Sequence, residues 1–320
     1  MTTSSSDSSS KIAFIFPGQG SQSIGMMSDW GDYQSIVDNC FNEASEALGY
    51  DLKSIITDGP AEKLNNTEIT QPAMLASGVA SFRVWEQLNT PSANIYAGHS
   101  LGEYSALVCA GSLQYTDAIK LVAERGRLMQ SAVAEGEGAM AAIIGLSDED
   151  VIKACESVEE GIVSAVNFNS PGQVVIAGNK ASVENAMDNC KQLGAKRTLP
   201  LPVSVPSHSA LMQGAADLLH QQLLGISMKM PAFKVIHNQN AGQAGSVDEI
   251  RELLKLQLFQ PVLWVDCVNN INQNGVDTLI EFGPGKVLTG LTRRINKAMT
   301  AHAVFNLESL EKTKQILSEK

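Results

Sequence analysis

The stretch Ala97-Gly98-His99-Ser100-Leu101-Gly102-Glu103 sets a serine midway between two glycines, a spacing that a chain needs where a strand turns sharply into a helix. Its flanks agree. Residues 94–97 are a short run with β-branched and aromatic members, and residues 103–110 read as an apolar helix that stops at Gly111. At such a corner the glycines let the strand and helix backbones approach closely, while the serine takes a strained conformation that lifts its hydroxyl into the open. The amide of Leu101 then faces the same space at the positive end of a helix dipole, so the corner suits both a nucleophile and an oxyanion. G-x-S-x-G also arises by chance in glycine-rich loops; the strand before it and the helix after it favour the catalytic reading here.

With 320 residues, 44% hydrophobic and 18% charged, the chain can bury a large core and reads as an ordinary globular protein. Its five cysteines are scattered without a C-x-x-C pair, which argues against a disulfide framework and a structural zinc site and predicts no metal. No apolar run has membrane-spanning length and no leader pattern opens the chain, so a cytoplasmic protein without membrane contact is expected. A net charge of −11 weighs against nonspecific nucleic-acid binding. Anionic small molecules remain admissible, provided that a local cation receives them.

Residues 1–10 are almost all Ser, Thr and Asp and predict a disordered tail. Ile12-Ala13-Phe14-Ile15-Phe16 reads as a buried strand running into Pro17-Gly18-Gln19-Gly20-Ser21-Gln22, a loop rich in amide donors. A dinucleotide fingerprint would need a glycine at Ser23, so that use is rejected. Helices are predicted over 33–48 and over 72–88, the second with Pro72 in its first turn. Another helix, over 115–129, carries Ala118, Leu121, Val122 and Met129 on or beside one stripe together with Arg125, which either snorkels to water or reaches an anionic ligand.

From Gly138 the rhythm changes to strand 139–144, helix 148–157, strands 162–166 and 173–178, helix 182–193 and strand 195–205. That βαββαβ order is the ferredoxin-like plan, so residues 131–202 are expected to form a small domain inserted into a large α/β domain of 11–130 and 203–320. A binding cleft between them is the natural consequence. Asn167 and Asn169 fall in an expected turn over 166–172. Beyond Pro206 come a helix over 210–224, a strand over 235–237, a helix over 249–258 and a last strand over 278–282, which leads through Gly283-Pro284-Gly285-Lys286 into a helix with Arg293 and Arg294. Strands alternating with helices imply a mostly parallel sheet covered on both faces. The Gly283 loop lacks phosphate-loop spacing.

A serine nucleophile needs a base at neutral pH, and the histidines are His99, His208, His220, His237 and His302. His99 diverges from Ser100 at the corner, His220 sits in a helix, His302 is near the end, and His237 follows apolar strand residues. His208, at the junction where the small domain returns to the large one, is the preferred base. No Asp presents itself as third member, and a backbone carbonyl could orient the base instead.

Phe16-Pro17-Gly18-Gln19-Gly20-Ser21-Gln22, Gly98-His99-Ser100-Leu101-Gly102-Glu103, Glu124-Arg125-Gly126, Pro206-Ser207-His208, Gln257 before Pro261-Val262 and Gly283-Pro284-Gly285-Lys286 together resemble the malonyl-CoA:acyl carrier protein transacylases, in order, from about Lys11 to Arg294. The resemblance implies an α/β-hydrolase-like core with a ferredoxin-like insert. It also implies that Ser100 carries the malonyl ester, His208 relays protons, and Gln257 orients His208 through its main-chain carbonyl. Gln19 and Leu101 would supply the oxyanion hole, Arg125 would hold the malonyl carboxylate, and Asn169 would belong to the pocket. No cofactor is implied beyond the phosphopantetheine of the carrier protein. A serine esterase or thioesterase using the same elbow is the alternative. Carrier proteins are typically acidic, so a basic face is needed to overcome the −11 charge, and Lys286, Arg293 and Arg294 are the candidates.

Overall fold

The computed structural model describes residues 11–88, 90–203 and 205–319; the expected tail at 1–10 lies outside the described residues. In chain order the strands are β1 (Ile12–Phe16), β2 (Ile95–Gly98), β3 (Gly138–Ile144), β4 (Val163–Ser170), β5 (Gln173–Asn179), β6 (Arg197–Pro200), β7 (Lys234–Ile236), β8 (Thr278–Phe282) and β9 (Thr300–Val304). One sheet runs β7-β2-β1-β8-β9, with every neighbouring pair parallel.

β1 sits at its centre and shows why the run is apolar throughout. Side chains alternate across a strand, so Phe14 and Phe16 enter the core on one face while Ala13 and Ile15 enter the core on the other. On the first face Phe14 meets Phe282 edge-on, with ring centroids 5.0 Å apart, beneath Phe82 and Trp85 of the helix Thr67–Glu86. On the second face Ala13, Ile15, Ile95 and Ala97 pack with Trp264, Cys267 and Ile271 of the helix Trp264–Gln273.

The second sheet runs β4-β5-β3-β6 and is antiparallel, with helices Asp148–Glu156 and Lys180–Gln192 completing the βαββαβ order. Its edge is stitched to the rest of the chain: Val262 donates to the Val166 carbonyl at 2.8 Å and accepts from the Phe168 amide at 3.0 Å. The molecule therefore has the α/β-hydrolase-like core and ferredoxin-like unit of the expected fold class.

Several local expectations are corrected. The helix expected from Pro72 begins at Thr67, because the Asn66 side chain accepts from the Glu68 amide and caps it; Pro72 lies inside, its lost hydrogen bond offset by burial on nearly every face. The turn expected over 166–172 is mostly strand, since β4 continues to Ser170 through two register shifts and turns only at Pro171-Gly172, with Gly172 at φ 71°. The strand expected over 195–205 is confined to β6, because Pro200 and Pro202 have no N–H to extend a ladder; Ser204 lies outside the described residues.

β8 is not the last strand: β9 pairs beside it in parallel and the helix Leu307–Ser318 follows. The helices Leu52–Asp58, Ala61–Leu64 and Trp264–Gln273 were also not anticipated. Among the described residues no helix is long and apolar enough to cross a membrane.

Candidate active site

β2 ends at Gly98 and the helix Gly102–Cys109 starts behind it, leaving Ser100 at the corner with φ 51°. A Cβ on Gly98 would lie 1.9 Å from the Gly102 carbonyl carbon, and one on Gly102 would lie 2.0 Å from the Phe16 oxygen. Only glycine fits at either place. The strained serine is held by Asn238, whose Oδ1 accepts from the Ser100 amide at 2.7 Å while its Nδ2 donates to the Gly98 carbonyl at 2.7 Å.

His208 reaches the corner from a distant part of the chain, its own amide donating to the Leu258 carbonyl at 3.0 Å. Its Nε2 lies 2.8 Å from Ser100 Oγ, and its Nδ1 lies 2.6 Å from the main-chain oxygen of Gln257. A peptide oxygen only accepts, so Nδ1 carries the proton and Nε2 offers its lone pair to the serine hydroxyl. Burial, reinforced by the positive charge of Arg125, pushes the imidazole down to about 3 against the opposing Gln257 carbonyl. The ring is thus neutral at physiological pH and able to accept a proton.

Arg125 is 1% exposed, so of the two fates open to it the snorkel is ruled out. Nη1 donates to Gln71 Oε1 at 2.8 Å, and Nη2 donates to Gln257 Oε1 at 3.1 Å and to Ser100 Oγ at 3.3 Å. Among the described residues no carboxylate forms an ion pair with it, and its Nε has no hydrogen-bond partner. Burial opposes its charge, while Tyr104, whose ring centroid lies 5.5 Å away, and Glu103 favour it. A buried cation beside a serine hydroxyl, furnished with neutral partners, has the chemistry to receive an anion.

The cleft at Ser100 has a volume of about 410 Å³ and is lined by Gln19, Leu101, Arg125 and His208 on one side and by Met140, Asn167 and Leu201 on the other. The backbone amides of Gln19 and Leu101 thus belong to residues of the cleft wall. Asn169 lies on β4 with Oδ1 2.7 Å from His99 Nε2, and it is Asn167 that faces the cavity. A larger groove of about 670 Å³ on the second sheet shares Met140, Leu201, Pro202 and Val203 with the cleft but contains neither Ser100 nor His208. Lys286, Arg293 and Arg294 lie outside the cleft, all exposed, with Arg294 donating to Gln173 of β5. No cluster of three or more His, Cys, Asp or Glu able to hold a metal occurs among the described residues.

Four members of the site were missed by sequence reasoning: Gln71, Glu103, Asn238 and the side chain of Gln257. Glu103 is wholly buried and receives His237 Nδ1 at 2.7 Å, the Asn238 amide at 3.0 Å and Gln257 Nε2 at 2.7 Å. A carboxylate at the start of an otherwise apolar helix was the available signal. His237 is the satisfied core histidine that its apolar strand suggests.

The acyl transferase domain model matches residues 13–307. The chain belongs to the acyl transferase family. Within that family, the malonyl CoA-acyl carrier protein transacylase of Escherichia coli strain K12 is 55% identical over 295 residues, covering 92% of this chain and 96% of that relative. The enzyme of the same description from Bacillus subtilis strain 168 is 44% identical over 313 residues, covering 97% of this chain and 98% of its own length. The crystal structure of an acyl carrier protein S-malonyltransferase from Vibrio cholerae superposes with a TM-score of 0.93 at 54% identity, covering 95% of this chain and 100% of that one. A malonyl-transacylase solved in complex with its type II PKS acyl-carrier protein gives a TM-score of 0.94 at 52% identity, covering 95% and 99%. The acyl transferase match spans every residue of the site, from Gln19 to Gln257.

Proposed function

We propose that the chain is a malonyl-CoA:acyl carrier protein S-malonyltransferase that supplies malonyl thioesters to fatty-acid synthesis. The observation that carries this reading is Arg125: a buried guanidinium without a carboxylate partner among the described residues, its Nη2 3.3 Å from Ser100 Oγ, matches an acyl group that ends in its own carboxylate. An esterase or thioesterase using the same elbow has no need of that cation, and the relatives named above are transacylases.

In the first half-reaction Ser100 Oγ attacks the thioester carbon of malonyl-CoA while its proton passes to His208 Nε2. The amides of Gln19 and Leu101 receive the oxyanion, the latter at the start of the helix Gly102–Cys109. The C–S bond breaks, and the CoA sulfur leaves with the proton from His208. The malonyl ester on Ser100 is then attacked by the phosphopantetheine thiol of the carrier protein, whose proton goes to His208 and returns to Ser100 Oγ as the new thioester departs.

His208 needs no carboxylate behind it, because the Gln257 carbonyl fixes the tautomer without setting a negative charge against the anionic substrate. Residues 131–202 act as the small domain, lending Met140 and Asn167 to the far wall of the cleft. Asn169 serves that wall through His99. No cofactor enters beyond the phosphopantetheine arm, and a cytoplasmic setting accords with five cysteines that are all free.

Intact mass spectrometry after brief mixing with malonyl-CoA tests the proposal. A malonyl adduct that persists alone and clears onto added holo carrier protein is the expected result; an adduct that clears into free malonate at the same rate without carrier would identify a hydrolase.

A further inference from the structure

Glu103 and Gln257 have a relationship that the serine chemistry leaves unused. Among the described residues, each hydrogen-bond partner of the Glu103 carboxylate is a donor: His237 Nδ1, the Asn238 amide and Gln257 Nε2. A carboxylate cannot donate, so the Gln257 amide has only one orientation available, with Nε2 toward Glu103 at 2.7 Å and the Ser100 carbonyl at 3.0 Å. Its oxygen is thereby turned the other way, where it accepts from Arg125 Nη2 at 3.1 Å.

Were the amide reversed, its NH2 would face the guanidinium, donor against donor, and its oxygen would face the carboxylate. Glu103, Gln257 and Arg125 are all fully or almost fully buried, so no water mends such a mismatch.

We propose that Glu103 and Gln257 form a polarity relay in which the elbow's own carboxylate orients the Gln257 side chain, and that side chain holds Arg125 in the pose that selects carboxylate-bearing acyl groups. Gln257 would then do two separable things: its main-chain oxygen orients His208, and its side chain, as a positioning residue, sets acyl selectivity. Glu103 acts one step further back and touches no substrate. The inference rests on the reading of Arg125 as the acyl-carboxylate receptor.

The readout is the ratio of kcat/KM for malonyl-CoA to that for acetyl-CoA, which cancels any loss of active enzyme. Gln257→Met keeps the main-chain oxygen and the volume but removes the acceptor, and it is expected to lower the ratio about tenfold, the effect of one lost charge-assisted hydrogen bond. Gln257→Glu keeps an oxygen toward Arg125 and can share one proton with Glu103, so it is expected to retain most of the ratio. Glu103→Asp withdraws the carboxylate from Gln257 and is expected to lower the ratio in the same direction. In an Arg125→Ala background Gln257→Met is expected to have no further effect on the ratio, because the group that it positions is gone.

A ratio within twofold of the parent in Gln257→Met overturns the relay. Should that variant yield no folded protein, Glu103→Asp carries the test alone, an unchanged ratio overturning the relay. Equal falls in Gln257→Met and Gln257→Glu would reduce the side chain to packing and overturn it as well. A parent-like ratio in Arg125→Ala would instead refute the receptor role of Arg125, a different failure.

Discussion

His208 directs Nδ1 at the main-chain oxygen of Gln257, 2.6 Å away, so the group that orients the imidazole is an uncharged peptide carbonyl. A charged orienter would stabilise the imidazolium, and here the nearest strong charge, Arg125, does the opposite. The array is therefore balanced for a substrate that arrives with its own negative charge and offsets the guanidinium. Substrate binding then raises the basicity of His208 when the proton must be taken.

The pH dependence follows from that arrangement. In the proposed mechanism His208 acts in its neutral form, and because its pKa is pushed down to about 3 the base form survives far below the ordinary histidine range. Acylation of Ser100 by an uncharged aryl ester should hold its rate as pH is lowered through 6.5, and removal of the nearby cation in Arg125→Ala should move the acid limb to higher pH. A limb at the ordinary histidine value in both proteins would contradict the assignment. The same depression costs folding stability as pH falls from 6.5 toward about 3, since there the unfolded chain binds a proton that the folded chain refuses.

At the nucleophile, chemistry and strain should separate. Ser100→Ala is expected to abolish the malonyl adduct with the fold intact. Because position 100 sits at φ 51°, Ser100→Gly should be more stable than Ser100→Ala by about 1 kcal/mol, read from urea unfolding. Equal stability of the two variants would mean that Asn238 does not hold the corner in its left-handed conformation.

Arg125→Ala should lose malonyl transfer by roughly ten- to a hundredfold, the worth of a charge-assisted pair of about 1.5–3 kcal/mol, with a much smaller loss for acetyl-CoA. Steady-state kinetics with both donors decides it. Equal losses would place the carboxylate of the substrate elsewhere.

Carrier docking can be separated from acyl loading, which needs only malonyl-CoA. Lys286, Arg293 and Arg294 are exposed at the two ends of the helix Val287–Ile295, on a chain of net charge −11. Charge reversal at Arg293 and Arg294 should raise the KM for carrier protein and flatten its salt dependence, while Ser100 is malonylated at close to the parent rate. An unchanged carrier KM would move the search to Lys191, Lys196 and Arg197.

Much of this protein was legible one segment at a time. The strand-corner-helix at Ser100 is written in the spacing of Gly98 and Gly102, since a side chain on Gly98 would strike the start of the helix and one on Gly102 would strike the backbone of Phe16 and Pro17 at the end of β1. The βαββαβ unit is written in alternating runs, and the position of His208 just beyond that unit is what marked it for the contact with Ser100 that the structure shows at 2.8 Å. Apart from the approach of β1 to Gly102, these are short-range patterns that backbone geometry enforces locally.

The tertiary structure alone decided what each polar side chain meets. Arg125 shows the same helical stripe whether it snorkels or is buried; its fate was settled by Gln71, 54 positions away, and Gln257, 132 positions away. Asn167 and Asn169 looked alike as turn formers until pairing with β5 and Val262 drew them into a strand, one toward the cleft and the other toward His99. Glu103 could not be read as an anchor because all three of its donors come from distant parts of the chain. Apolar periodicity declares which face of an element is buried, whereas a buried hydrogen bond depends on which partner long-range packing delivers within 3 Å.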